Sequence, residues 1–469
     1  MNQKKQFGYL WLVVISISFA ILSFYAIEPD YFWHIKAGEY MVHHGILTKD
    51  IFSWLLTSKY WMSHEWLFEV LLYSLKTIFG TYHVYVYSFL SIFMLSSVLF
   101  FPNREKITKN IPFSMIYLLF FLLLFIPFVQ ARPHMISFSF LSFTLWVLMD
   151  LYENEDSKKI YFLPVITILW ANVHGGSSNL PYLLSFLFFL IGFFPFTSSK
   201  MENITTTKKQ RMKYLVITLL CMIGVFCNIH GYKMFFYPYQ NMGNMTMISS
   251  IVEWQPTTLN DVSHYLYYAF LLFLLFLLLF SKKKIRFIDF MLLLFFAYLG
   301  LKSIRFWLYL YIASNYFVFY YVKKRKVDSG TSLVILFCCI LMLVFAFYRL
   351  GTTSFHEHYH LSEKMIQTIK KENPKRLFNY YDYGGELIYH DIPVFIDGRA
   401  DLYSNYYYED YLNIVFLQRG FPKLLEKYHF DYYLVSKDNP IYGYLNLTGD
   451  FEEVFHDKTV YLFKRKETS

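Results

Sequence analysis

The polar chemistry of this chain comes in short bursts between long apolar runs. The first burst, EPDYFWHIKAGEYMVHHG (28–45), opens with Glu28 and Asp30 and sets His34 four residues after Asp30, one turn on if the segment is helical. A carboxylate at the outer end of an apolar span is partly desolvated yet reachable from both lipid and water. It could act there as a base on an acceptor, or hold a divalent cation against a phosphate leaving group. A solvated helix end beside an aromatic belt of Tyr31, Phe32 and Trp33 accounts for the same residues. The next burst, YWMSHEWLFE (60–69), puts His64 and Glu65 before an amphipathic run, with Ser63 available as a cap. Phe68 stands where a zinc-binding HExxH would need its second His, so that motif is excluded.

Later bursts repeat one theme: Arg132-Pro133-His134, Asn172-Val173-His174-Gly175-Gly176, Asn228-Ile229-His230-Gly231, and Lys302 with Arg305. A single His or Arg at a helix end usually snorkels or caps. Here at least five such ends fall on one side of the apolar runs while the opposite ends are plain. Polar groups at membrane depth are costly and tend to line a pathway or a site. Arginine is the natural partner of a lipid phosphate. Glu253, in SSIVEWQPTTLND (249–261), stands among uncharged neighbours and is the acidic counterpart on that side.

The elements that must position these residues are membrane helices. Of 469 residues, 56% are hydrophobic and 16% charged, with mean hydropathy +0.33, whereas soluble domains carry about 25% charged residues. Spans are expected around 7–27, 82–101, 112–130, 134–151, 160–172, 180–197, 214–229, 263–280, 287–301, 306–321 and 331–349, with 64–80 as an interfacial helix. On that arrangement the short inner segments hold 20 Lys and Arg and the short outer ones 8. The net charge of +9 therefore reports topology, and nucleic acid is excluded as its partner. The N-terminus is expected to be cytoplasmic, with 7–27 as an uncleaved signal anchor. Cys221, Cys227, Cys338 and Cys339 all fall in apolar spans and read as buried thiols.

Two domains are expected: residues 1–349, with outer loops 28–81 and 230–261, and an extracytoplasmic α/β domain, 350–469. In the latter RLFN, PVFID, DYYLVS and KTVYLF read as strands and 404–418 as a helix. Gly384-Gly385 between a strand and a helix suggests a tight turn with free backbone N–H groups. Arg399, after VFID, would sit at the end of a strand. It could bind a ligand there or pair with Asp382, Asp397 or Asp401.

Together these stretches resemble the GT-C glycosyltransferases, multi-pass enzymes that move sugars from polyprenyl-phosphate or -pyrophosphate carriers at the outer membrane face. Their acidic first-loop motif corresponds to Glu28-Pro29-Asp30. IVEWQPTT (251–258) is similar to the SVSEHQPT segment of oligosaccharyltransferase catalytic subunits, which puts Glu253 at its acidic position. NYYDYGGELI (379–388) is similar to their WWDYG motif, with Tyr381 and Asp382 at the matching places and Tyr380 and Tyr381 replacing its paired Trp. A set of uncharacterised prokaryotic membrane proteins with DxWWHxxxG, HEWL, WxNxHG and IDGRADLY looks more similar still.

The resemblance implies a membrane glycosyltransferase acting in the cell envelope on a polyprenyl-phosphate-linked sugar, with a glycan, lipid or protein as acceptor. It implies Asp30, Glu28 and Glu253 as catalytic residues, and Asp30 and Glu253 as ligands of a divalent cation such as Mg2+ or Mn2+. Donor or acceptor would be held by His34, His64, Glu65, Arg132, His134, Asn172, His174, His230, Arg305, Tyr381, Asp382 and Arg399. A polysaccharide polymerase or ligase, an envelope transporter, and a non-catalytic scaffold are the competing readings.

Overall fold

The computed structural model describes residues 16–17, 28–108, 111–125, 128–203, 206–241, 252–322, 344, 359–403 and 405–466. The expected spans at 7–27 and 331–349, apart from 16–17 and 344, and residues 242–251 of the 230–261 loop lie outside these residues. The protein is mostly helical and divides into two compact units. The described residues from 81 to 322 form one, and those of 28–80 with 359–466 form the other.

In the first unit the apolar runs become the helices His83–Thr108, Ile111–Phe125, His134–Glu153, Leu163–Val173, Leu180–Ile191, Lys208–Phe226, Tyr232–Asn241, Tyr265–Phe280, Phe287–Lys302 and Trp307–Ser314. Among the described residues of the whole chain, three stretches, Trp66–Ile107, His134–Glu153 and Val262–Phe280, are long and apolar enough to cross a membrane. Local chemistry sets the ends. Pro164 and Pro181 stand in first turns, where a missing N–H costs nothing. Thr207 and Gln210 form a reciprocal capping box before Lys208–Phe226. The expected span 306–321 is interrupted after Ser314. Asn315 donates its amide to the Leu99 carbonyl, and its own carbonyl accepts from Asn103, so side chains replace helical hydrogen bonds at the break. A small sheet that the sequence did not announce joins β1 (Phe196–Thr197), β2 (Met201–Asn203) and β3 (Ile285–Arg286). Cys221 is buried, but Cys227, read as a buried thiol, is exposed where its helix ends.

The second unit is built on a four-stranded sheet of order β4-β5-β7-β6: Leu377–Asn379, Tyr432–Ser436, Val460–Arg465 and Phe451–Asp457. β4 and β5 are parallel, and the other neighbours are antiparallel. Phe378, Phe395, Tyr433 and Leu434 are wholly buried at its centre. PVFID is not a strand. Its amides at Phe395 and Ile396 point at the Asn379 side chain, and Val394 forms a single parallel bridge with Ser53. That bridge, together with a 3.0 Å bond from Trp54 Nε1 to the Leu377 carbonyl, makes the first loop part of this unit.

Candidate functional site

In the first unit several helix ends bring their polar residues together. Arg132 precedes the His134–Glu153 helix, His174 closes Leu163–Val173, and Arg305 lies in the turn after Phe287–Lys302. Glu253 sits in a short turn stitched to that last connection. Ser303 donates to the Glu253 carbonyl at 2.8 Å, and Ile304 donates to the Gln255 carbonyl at 3.2 Å. The Glu253 carboxylate lies 3.3 and 3.4 Å from Arg132 Nη1 and 3.9 Å from Arg305 Nη1. Arg305 also approaches His174 Nε2 at 3.3 Å and stands over the Trp254 ring at 5.0 Å. A guanidinium donating to Nε2 requires that nitrogen to be bare, so Nδ1 carries the hydrogen and donates to Ser137 Oγ at 2.7 Å. Trp170 donates to the same Oγ at 2.8 Å, which fixes the orientation of the whole row.

The charge of this cluster decides what it can hold. Two guanidiniums converge on the Glu253 carboxylate. The side chains are 17% (Arg132), 24% (Arg305) and 31% (Glu253) exposed. Burial works to raise the Glu253 carboxyl, but the Arg132 and Arg305 charges outweigh it and hold the group below its ordinary range. Two guanidiniums at this distance favour an anion beside them over a divalent cation. Asp30 lies in the second unit.

Other residues expected at this site make contacts of their own. Asn172 gives its amide hydrogens to the Ile168 and Cys227 carbonyls and accepts from Asn228, so it ties two helix ends together. His134 is buried, with Nε2 2.8 Å from the Phe128 carbonyl. His230 is buried too, its backbone N–H held by the Asn228 side chain ahead of Gly231, which takes a left-handed φ of 53°.

In the second unit the first burst forms the Pro29–His44 helix, with Glu28 at its N-cap and Asp30 in the first turn. Asp30 is half-buried and accepts from Trp33 Nε1 at 3.1 Å. A Cβ on residue 398 would lie 1.6 Å from Asp30 Oδ1, so the glycine of IDGRADLY makes room for that carboxylate. Gly384 and Gly385 likewise meet backbone, not open space. Their Cβ atoms would fall 2.4 Å from the Ile396 carbonyl oxygen and 2.0 Å from that of Pro29, so close packing requires glycine where the Gly384–Tyr389 helix begins. Tyr381 donates its N–H to the Tyr411 hydroxyl. Burial raises the Asp382 carboxyl, with His360 opposing it.

Arg399 is not available to a ligand. Its guanidinium, 0% exposed, grips Asp397 through Nε and Nη2 at 2.8 and 2.7 Å and Asp50 through Nη1 at 2.6 Å. Trp61 covers it at 4.8 Å. The ligand role read for Arg399 gives way to the pairing with Asp397, one of the three partners considered. Asp50, which the sequence reading passed over, completes the clamp and accepts from the Phe52 and Ser53 N–H groups.

His34, His64 and Glu65 do assemble, around a residue that sequence reading counted only as polar. His34 Nδ1 lies 3.4 Å from Glu69 Oε1, and Nε2 lies 3.6 Å from Glu65 Oε2. His64 reaches Glu65 Oε1 at 3.0 Å and Asp401 at 3.7 Å. Burial lowers the His64 basicity, but Glu65 and Asp401 overcome it and raise the ring to about 10. The signal for Glu69 was its spacing, one helical turn beyond Glu65.

No protein-family model matches the chain, and no curated protein matches it.

Proposed function

We propose that the protein is a membrane glycosyltransferase that moves a sugar from a polyprenyl-phosphate carrier to a glycan, lipid or protein acceptor at the outer face of the cell membrane. The observation that carries this reading is the convergence of Arg132, Glu253 and Arg305 from separate helix ends, partly exposed among apolar helices. A lipid phosphate is the anion that reaches such a place from the bilayer. The charge asymmetry of the loops supports about eleven spans, a cytoplasmic N-terminus and an extracytoplasmic C-terminal region.

On this reading Glu253 holds the two guanidiniums apart until the donor phosphate takes its place, and His174 keeps Arg305 aimed. The acceptor hydroxyl gives its proton to a carboxylate base, for which Asp30 is the candidate read from the sequence, as its oxygen attacks the anomeric carbon. The sugar–phosphate bond breaks with inversion, and polyprenyl phosphate leaves with the electron pair. Catalysis is then mainly positioning and charge stabilisation of the leaving group. The test is sugar transfer from labelled polyprenyl-phosphate donors by the protein purified into lipid nanodiscs. Asp30→Asn should lower transfer by roughly 10²–10⁴-fold at unchanged thermal stability. Near-normal transfer by that variant would take Asp30 out of the chemistry.

A further inference from the structure

The second unit contains a converging set of side chains that sugar transfer does not use. One ligand atom each from His34, Glu65 and Glu69 lies within 4.8 Å of the others, and all three residues are buried. Their surroundings fix the orientation of each group. The His34 ring lies against Trp33 at 3.7 Å and meets the Phe68 ring edge-on at 5.1 Å. Ser63 donates to Glu69 Oε2 at 2.9 Å, which turns Oε1 toward His34. His64 takes Glu65 Oε1 at 3.0 Å, leaving Oε2 on the His34 side. Each carboxylate thus has one oxygen held from outside and one presented inward, as outer hydrogen bonds orient the ligands of metal centres.

Two features separate this cluster from an ordinary buried ion pair. His34 Nδ1 and Glu69 Oε1 are buried and make no hydrogen bond, although they face each other. A protonated imidazole between carboxylates should draw them in to about 2.7–2.9 Å, yet the gaps are 3.4 and 3.6 Å. These two gaps use opposite nitrogens of the ring, of which an ion takes one; one His34 nitrogen and one oxygen of each carboxylate lie within 4.8 Å of one another. The backbone is also committed to the arrangement. A Cβ at Gly38 would lie 2.1 Å from the Glu69 carbonyl oxygen, so only glycine lets the Pro29–His44 and Trp66–Phe79 helices approach closely enough to bring His34 to Glu69.

We propose that His34, Glu65 and Glu69 bind a single divalent transition-metal ion of the Mn2+ or Zn2+ kind. An imidazole nitrogen with two carboxylate oxygens suits these ions better than Mg2+ or Ca2+, which prefer oxygen alone. Three protein ligands leave at least one coordination position for water or another small oxygen ligand. The site does not depend on the donor reading, since it involves neither Arg132, Glu253 nor Arg305.

The experiment uses the full-length protein, purified in detergent, stripped with a chelator and dialysed against Mn2+, Zn2+ or Mg2+ singly. Elemental analysis should find one equivalent of Mn2+ or Zn2+ retained, with Mg2+ bound at least about tenfold more weakly. Glu69→Gln and His34→Ala should each weaken binding by about 10–100-fold or more. Pulsed electron paramagnetic resonance of the Mn2+-loaded wild type should show one coordinated nitrogen, a reading that does not depend on any variant folding. The proposal is overturned if the wild type retains no equivalent, if its bound Mn2+ lacks a nitrogen ligand, or if Glu69→Gln binds as tightly as wild type. An ion bound as described in a protein inactive on every polyprenyl-phosphate donor would remove the donor reading and leave the ion site standing.

Discussion

Two arginine centres in this protein use the same side chain to opposite ends. Arg399 has its charge consumed: three hydrogen bonds to Asp397 and Asp50, no exposure and an aromatic cover. Arg132 and Arg305 share the Glu253 carboxylate at 3.3–3.9 Å and stay partly exposed. Both sit in polar bursts that look alike in sequence. What distinguishes a structural from a ligand-binding arginine is the ratio of cations to carboxylates and the solvent access left to it.

The comparison can be broken at either centre. The largest effect is expected from Arg399→Ala, which leaves Asp50 and Asp397 buried without their cation. The second unit should lose about 3–5 kcal/mol, read as a lowered denaturation midpoint or early proteolysis. Full stability of this variant would dissolve the clamp. Arg305→Ala should leave the melting temperature nearly unchanged and instead cost about 1.5–3 kcal/mol of polyprenyl-phosphate affinity, a roughly ten- to hundredfold weaker Kd in nanodiscs. A variant that melts early with normal donor affinity would make Arg305 a second Arg399.

A backbone change gives the next effect. Gly38→Ala forces a Cβ toward the Glu69 carbonyl and should cost about 1–3 kcal/mol of thermal stability through overpacking. An unchanged melting temperature would show that the two helices are not held so close. The smallest effect is electrostatic. Glu253 titrates below its unfolded value of about 4.3, so its pairing stabilises the protein fully above that value and is lost as pH falls through the lower, folded one. Arg132→Ala should move the Glu253 carboxyl band upward in an infrared titration. No movement would mean that Arg132 is not its partner.

Much of this was legible in the sequence, for identifiable reasons. Apolar runs gave the helices of the first unit, and RLFN, DYYLVS and KTVYLF gave β4, β5 and β7 because β-branched and aromatic residues cluster there. PVFID failed because its hydrogen bonds go to the Asn379 side chain, which no periodicity announces. β6 (Phe451–Asp457) escaped notice because Glu452 and Glu453 break its apolar pattern on an edge strand. Gly384 and Gly385 stand between β4 and a helix start as read, but their close approach to the Ile396 and Pro29 carbonyls was not legible, because close backbone contact and tight turning both select glycine. At the sites, Arg132, His174, Glu253 and Arg305 could be named because charged groups are rare among apolar helices. Asp50 could not, since an aspartate in a polar loop gives no sign that it will be buried beside a residue 349 positions away.

The most direct test of the central claim is steady-state sugar transfer in nanodiscs at varied donor concentration, comparing wild type with Arg132→Ala, Arg305→Ala and their combination. If the cluster holds the donor phosphate, each single variant should raise the donor KM by roughly ten- to hundredfold, the double variant should raise it further, and the acceptor KM should stay put. A double variant with the wild-type donor KM would contradict the account, because the two arginines would then hold no phosphate.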